Sequence, residues 1–296
     1  METSSVLRRI GSFALAGCVL AGAALPAFAR RQQPQQQGGE AKKDEAKRDA
    51  KPQEAARPQK GGEPTGEQVA ELVIFAFGAR ERLQQIRRSG VERGRVTRAA
   101  EDGRNEQIDY TRHFKRGDSY DKDKIRLDQR KPSLEYSLVF NEGKVFGLLR
   151  GTSFTPRQED VTTFLADRVH GIDTLLRYKE SGSAVKYVGK ETQKGLELWA
   201  VDLTDKEKNT TRFYVSTKTW RVLWLEFEET PPGERAPVKF RRTFHDYRIV
   251  QGTYFPYRSV FYSGDRQLEE SQVLTVTYGL KVEDDIFRTP ETASGL

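Results

Sequence analysis

The sequence predicts a mainly β fold with α for residues 67–296: a curved antiparallel sheet of about 11–12 strands, an incomplete β-barrel covered by helices. Three observations predict it. Apolar residues recur with period two through most of that stretch, and turn residues cut the pattern at short intervals. Only two segments, near 65–86 and 158–178, carry helical spacing. Strands follow strands without the β–α–β alternation of a parallel sheet. A dozen twisted strands cannot lie flat, so the sheet is expected to curl around its helices.

The chain before that region is of another kind. Arg8-Arg9 precedes a run of small and apolar residues over 10–28, and Ala27-Phe28-Ala29 offers a small-residue exit. Positive start, apolar middle and A-x-A site read as a secretory signal peptide over residues 1–29, cut after Ala29. Two other readings stay open. The run is just long enough to span a bilayer uncleaved. Leu15-Ala16-Gly17-Cys18 also has the form of a bacterial lipobox, which would leave a lipid on Cys18. The expected location is therefore the periplasm, or a membrane reached through a lipidated Cys18. Residues 30–66 are rich in Gln, Pro, Gly, Ala, Lys and Glu and hold almost nothing large and apolar. They are expected to form a disordered linker, because so little buried surface cannot offset chain ordering.

Thr65 is placed to cap a helix with Gln68 as its capping-box partner, and Val69, Leu72, Val73, Ala76, Leu83 and Ile86 form its stripe until Ser89-Gly90. Strands are expected near 91–100, 105–116, 120–130, 134–140 and 143–149, broken at Asp102-Gly103, Gly117-Asp118, Lys131-Pro132 and Asn141-Glu142-Gly143. A second amphipathic helix spans 158–178, with Gly171 as a kink. Strands resume near 184–191, 196–203, 211–216, 220–228, 237–249, 253–262 and 267–280. The helix at 158–178 interrupts the strands, so it is positioned to lie across the mouth of the curled sheet as a lid.

Charge and motifs narrow the function. The net charge of +7 comes mostly from the leader and linker, and the rest carries nearly balanced signs. That is not the one-sided basic footprint of a nucleic-acid binder. The one cysteine, Cys18, lies in the leader, so the mature chain has neither a disulfide nor thiol chemistry. His113, His170 and His245 fall on separate elements without ligand spacing, and no metal or other cofactor is expected. There is no G-x-S-x-G, no phosphate loop and no dinucleotide fingerprint, so no catalytic residue is assigned and an enzyme is not expected. What remains is apolar. The residues expected to line or lid a hydrophobic cavity are Leu138, Phe140, Phe164, Leu165, Ile172, Leu198, Phe213, Leu223, Leu225, Phe227, Phe240, Phe244 and Phe255. For each of them, ordinary core packing is the competing role.

Several segments taken in order resemble the outer-membrane lipoprotein-sorting (LolA/LolB-like) superfamily. They are the run from Gly195 through Leu196, Glu197, Leu198 and Trp199 to Leu203, then Arg212-Phe213-Tyr214-Val215, then Asp246-Tyr247-Arg248 followed by Gly252 and Phe255-Pro256, and Phe287 with Pro290. Asn141-Glu142-Gly143-Lys144 with Phe146 resembles a further hairpin of that family. The resemblance implies a half-barrel with a helical lid and a hydrophobic cavity. It also implies partners that are lipid or lipoprotein acyl chains, with envelope proteins and peripheral membrane contact as further expectations. The linker and the longer folded part depart from the carrier pattern. The resemblance therefore extends to the fold more than to lipoprotein trafficking.

Overall fold

The computed structural model describes residues 62–99, 104–131, 134–231 and 235–290. The expectations at Cys18 and Ala29, and the linker through residue 61, lie outside these residues. The described chain begins at a helix with the expected cap. Thr65 accepts from the Gln68 N–H at 3.2 Å, and Gln68 Oε1 accepts from the Thr65 N–H at 2.9 Å. Two orphan donors of the first turn are thereby satisfied.

That helix, α1 (Gly66–Phe77), is shorter than its apolar spacing suggests. Gly78 has φ +132°, and its N–H closes onto the carbonyls of Ile74 and Phe75. The chain then re-enters a second helix, α2 (Arg80–Ile86), through Ala79 at φ +66°. The expected single helix over 65–86 is thus two. The bend sets Arg87 against β-sheet backbone, where its guanidinium donates to the Tyr254 carbonyl at 2.5 Å.

The strands are β1 (Ser89–Ala99), β2 (Asn105–Lys115), β3 (Lys124–Lys131), β4 (Leu134–Asn141), β5 (Lys144–Leu149), β6 (Thr152–Phe154), β7 (Ala184–Gln193), β8 (Leu196–Thr204), β9 (Thr210–Ser216), β10 (Val222–Glu229), β11 (Val238–Val250), β12 (Thr253–Ser263) and β13 (Arg266–Tyr278). They form one antiparallel sheet in the order β6-β5-β4-β3-β2-β1-β13-β12-β11-β10-β9-β8-β7. The single long-range join is β1 to β13, and every other pair is adjacent in sequence. The sheet is curved and does not close, so β6 and β7 are its edges. The strand beyond the expected 11–12 is the three-residue β6, too short to show a period in sequence.

Four hairpins turn on two left-handed residues: Glu142-Gly143, Arg150-Gly151, Lys194-Gly195 and Gln251-Gly252. This is the turn whose twist matches antiparallel strands, and glycine takes the second position at least steric cost. Between β6 and β7 the chain makes α3 (Gln158–His170), α4 (Ile172–Leu176) and α5 (Tyr178–Ser181). The helical stretch expected over 158–178 therefore breaks at Gly171, where a Cβ would collide with the Asp167 carbonyl.

The main core lies between α1, α4 and the inner face of β8–β11. Val69, Val73, Phe213, Val215, Val222 and Leu225 are fully buried in it. Helix α1 sits so close that a Cβ on Gly66 would fall 2.6 Å from the Val185 carbonyl. A smaller cluster on the outer face packs Phe287, just before the described C-terminal end, against Val139 and Leu148.

Candidate functional site

The inner face of the sheet can be followed through its register. Directly opposed residues in antiparallel strands share a face. Val201 opposes Phe213, Phe213 opposes Leu225, Phe227 opposes Phe240, and Arg242 opposes both Leu225 and Phe261. On the other limb Leu127 opposes Leu138, and Ile125 opposes Phe140. The face therefore has an apolar limb over β8–β11 and another over β3–β4. Between them Glu92 of β1 accepts from the Tyr110 hydroxyl at 2.6 Å and lies 3.6 Å from Arg112.

The two limbs are covered differently. Under α1 the first is packed solid: Phe213 and Leu225 are fully buried, and Phe227, Phe244 and Ile172 are buried with them. Towards the far end of β10–β12 three rings form a ladder. Phe227 stacks on Phe240 at 5.4 Å and Phe240 on Phe261 at 5.4 Å. The Arg242 guanidinium lies 4.9 Å from the Phe261 centroid. The helix above this ladder is α3. Its last residue, His170, stacks on Phe227 at 3.8 Å and shares a 2.7 Å hydrogen bond with Thr211. Burial pushes the His170 imidazole down to about 4, so the ring is neutral at pH 7. One turn earlier Asp167 pairs with Arg242. At its other end Asp160 is near enough to Tyr136 of β4 to add to the effect of burial in raising that hydroxyl's pKa. Helix α3 thus spans the inner face from β4 to β10, while Phe164 and Leu165 on it are only half-buried.

The end of α3 and the α4 segment after it are fastened by charge. Arg177 donates to Asp123 through both terminal nitrogens, at 2.5 and 3.2 Å. Arg168 donates to the Tyr120 carbonyl at 2.6 Å and stacks over the Tyr120 and Phe140 rings. Asp173 takes Arg116 at 2.9 Å and Arg87 at 3.5 Å. Burial would raise the Asp173 carboxyl, but Arg116, Arg87 and Arg177 outweigh it and hold it well below the usual carboxylate range. Burial likewise works against the Arg177 charge, yet Asp123 and Glu180 raise its pKa above the ordinary value.

The thirteen residues selected from sequence fall into four groups. Phe213, Leu225, Phe227, Phe244 and Ile172 belong to the main core, with Phe240 packed against it. Leu138 and Phe140 line the β4 limb, both buried, and Phe164 and Leu165 lie on α3. Phe255 belongs to a separate cluster with Tyr257 and Tyr278 beside Arg87. Leu198 and Leu223 stand apart: Leu198 alternates away from Val201, and Leu223 is the bulged residue between Val222 and Trp224. Because of the bulge, Val222 enters the core with Leu225 although they are an odd number of positions apart. Sequence reading passed over Phe261, Asp167 and the arginine–aspartate fastening. One signal was there: Arg168 sits on the same stripe as Val161, Leu165 and Ile172, where an apolar residue is the norm.

Other features are polar. A space of about 10 Å³ between α2 and α4, bordered by Leu83, Leu176 and Arg177, has room for about one water. An open groove of about 760 Å³ crosses the β3–β5 end of the sheet, lined by Arg126, Arg130, Ser137, Leu148, Arg150 and Arg288 among others. Among the described residues no three His, Cys, Asp or Glu side chains are grouped to hold a metal.

A single open antiparallel sheet curled on helices, with a helix inserted across its inner face, is a half-barrel fold. The chain has the LolA-superfamily fold, and the relationship is one of fold. Three solved structures show it. A LolA-superfamily protein from Nitrosomonas europaea superposes with TM-score 0.53 at 13% identity, over 76% of this chain and 98% of that one. A domain from Vibrio parahaemolyticus, described by analogy as an outer membrane lipoprotein-sorting protein domain, gives 0.52 at 10%, over 75% and 96%. A DUF1329-family protein from Desulfovibrio piger gives 0.54 at 10%, over 75% and 97%. No protein-family model matches the chain, and no curated protein matches it in sequence.

Proposed function

We propose that this chain is a non-catalytic envelope protein that binds the acyl chain of a lipid or lipoprotein between α3 and the inner face of the sheet, as a carrier or sensor. The observation that carries this reading is the ladder of Phe227, Phe240 and Phe261 under a helix that buries only His170 and is otherwise held by polar contacts towards its C-terminal end. Lifting α3 uncovers three rings and the half-buried Phe164 and Leu165 together. An acyl chain laid there would gain about 0.8 kcal/mol for each methylene it buries. The fold of the sorting domains supports the same reading, as does the signal-like leader. Export to the periplasm, with cleavage after Ala29 or lipidation at Cys18, belongs to the proposal.

Equilibrium titration of the delipidated protein with a fluorescent fatty acid tests it. Binding is expected at one per chain, and Phe240→Asp or Phe261→Asp is expected to weaken it at least tenfold while the far-ultraviolet spectrum stays unchanged. A second reading has its own support. The α1 limb is filled by its own side chains, which suits a solid scaffold for another envelope protein. A wild-type protein that binds no fatty acid yet is isolated with a stoichiometric protein partner would favour the scaffold.

A further inference from the structure

One end of the sheet gathers large apolar side chains that no part of the core covers. Phe75, near the C-terminal end of α1, is 57% exposed. Its ring lies 6.2 Å from Trp220, in the turn between β9 and β10. The next residue, Arg221, lies over the Tyr254 ring at 4.1 Å. Tyr254 in turn opposes Ile249, which is 66% exposed. Leu196, 49% exposed, opens β8 beside the same turn, where the Thr217 N–H donates to the Glu197 carbonyl at 3.1 Å. These side chains come from α1 and three separate hairpins that meet at this end of the sheet, where Phe75 touches Trp220 and Arg221 touches Tyr254.

Two further features set the strip apart. Trp220 has φ +55°, a conformation costly for a bulky side chain, and its N–H is fixed to the Ser216 carbonyl at 2.9 Å. The turn thus holds an indole at the rim instead of letting it fold into the core. Lys194 and Lys218 occupy the two neighbouring turn tips, and with Arg221 they form no ion pair with a described residue. The nearby acids are engaged: Glu197 with Lys190, Asp246 with Arg248, and Glu71 with Arg80 and Lys179. The rim therefore offers aromatic and aliphatic tips beside Lys194, Lys218 and Arg221, with Arg221 lying over the Tyr247 and Tyr254 rings and Lys218 near Glu197. That is the complement of an anionic bilayer surface, with headgroups outside and hydrocarbon beneath.

We propose that this rim, centred on Phe75, Trp220 and Ile249, docks the domain onto an anionic lipid bilayer. The rim lies at the opposite end of β10 from the aromatic ladder, so this docking holds whether or not the inner face carries a ligand. It is a peripheral contact: the tips enter the interface and no element crosses it.

The test uses the full chain with vesicles of phosphatidylcholine and phosphatidylglycerol in which part of the phosphatidylcholine is brominated on its acyl chains. Bromine quenches an indole that enters the interface. Wild type is expected to be quenched on phosphatidylglycerol vesicles and little on pure phosphatidylcholine. Trp220→Phe keeps the apolar rim, so it is expected to bind equally while its remaining Trp199 and Trp224 escape quenching. Lys194→Glu combined with Lys218→Glu is expected to lower partitioning at least tenfold, since each cation near such a surface contributes about a fivefold factor. Binding without quenching of Trp220 would overturn the proposal, because the leader or linker would then be carrying the contact. So would equal binding to both vesicle types, or a concentration-dependent dimer that buries the indole without lipid.

Discussion

At the scale of single residues, the fastening of the helical segment rests on charges that water cannot fully solvate. Arg177 and Asp123 are both nearly buried and meet through two hydrogen bonds. Such a pair adds little over an apolar replacement, yet removing Arg177 leaves the Asp123 carboxylate with only the Gly117 N–H at 3.0 Å and Arg168 at 3.7 Å. Arg177→Ala is expected to cost about 3–5 kcal/mol in urea unfolding, and Arg177→Met with Asp123→Leu clearly less than that. A double variant as unstable as the single one would show that packing, not the stranded carboxylate, sets the loss. Thr65 gives a milder case. Its side chain satisfies one first-turn N–H, and Thr65→Ala is expected to cost about 1 kcal/mol, visible as a lower urea midpoint at unchanged slope.

At the scale of elements, α3 differs from α1 in how it is held. α1 buries Val69, Val73 and Phe77 completely or nearly so, whereas His170 alone is buried on α3. A helix docked mainly through the polar and ring contacts of Asp167, Arg168 and His170 opens more easily than one docked by a core face. Arg242→Gln is expected to speed amide exchange across residues 158–170 about tenfold or more while α1 keeps its protection, read by hydrogen-exchange mass spectrometry. Equal acceleration in both helices would place the effect in global unfolding. This contrast was only half legible in sequence. Periodicity located both helices and most strands, and the dipeptides ending in Gly143, Gly195 and Gly252 marked hairpins because left-handed turns need that residue. The break at Gly78 was masked by an apolar stripe that runs on through Leu83. The bulge at Leu223 was hidden because an extra residue leaves no trace in an already apolar run. The charge pairs Asp123–Arg177 and Asp167–Arg242 join residues more than fifty positions apart, and composition carries no information on such partners.

At the scale of the whole molecule, the sheet separates a limb that is filled from a limb that a helix merely spans, and acid acts on the boundary between them. His170 stands there, stacked on Phe227 and bonded to Thr211. Its pKa falls from 6.5 in the unfolded chain to about 4 in the fold, because burial disfavours the imidazolium. Between those values the unfolded chain binds a proton that the native state does not. Stability from this residue is therefore complete above about pH 6.5, declines as the pH falls towards about 4, and then levels off. The loss is on the order of 3 kcal/mol at most, by the usual conversion of a pKa shift. Burial lowers His113 and His245 as well, so they add a smaller slope of the same sign. His170→Gln removes only the first contribution. Urea midpoints of wild type and variant, taken from pH 7.5 to pH 4.5, are expected to converge as the pH falls. The variant starts less stable, having lost the stack on Phe227, but it is spared the cost of keeping a buried ring neutral in acid. Parallel curves over that range would mean that His170 is solvated enough to titrate normally. The helix end would then be open at rest, and α3 would need no lifting to expose the ladder.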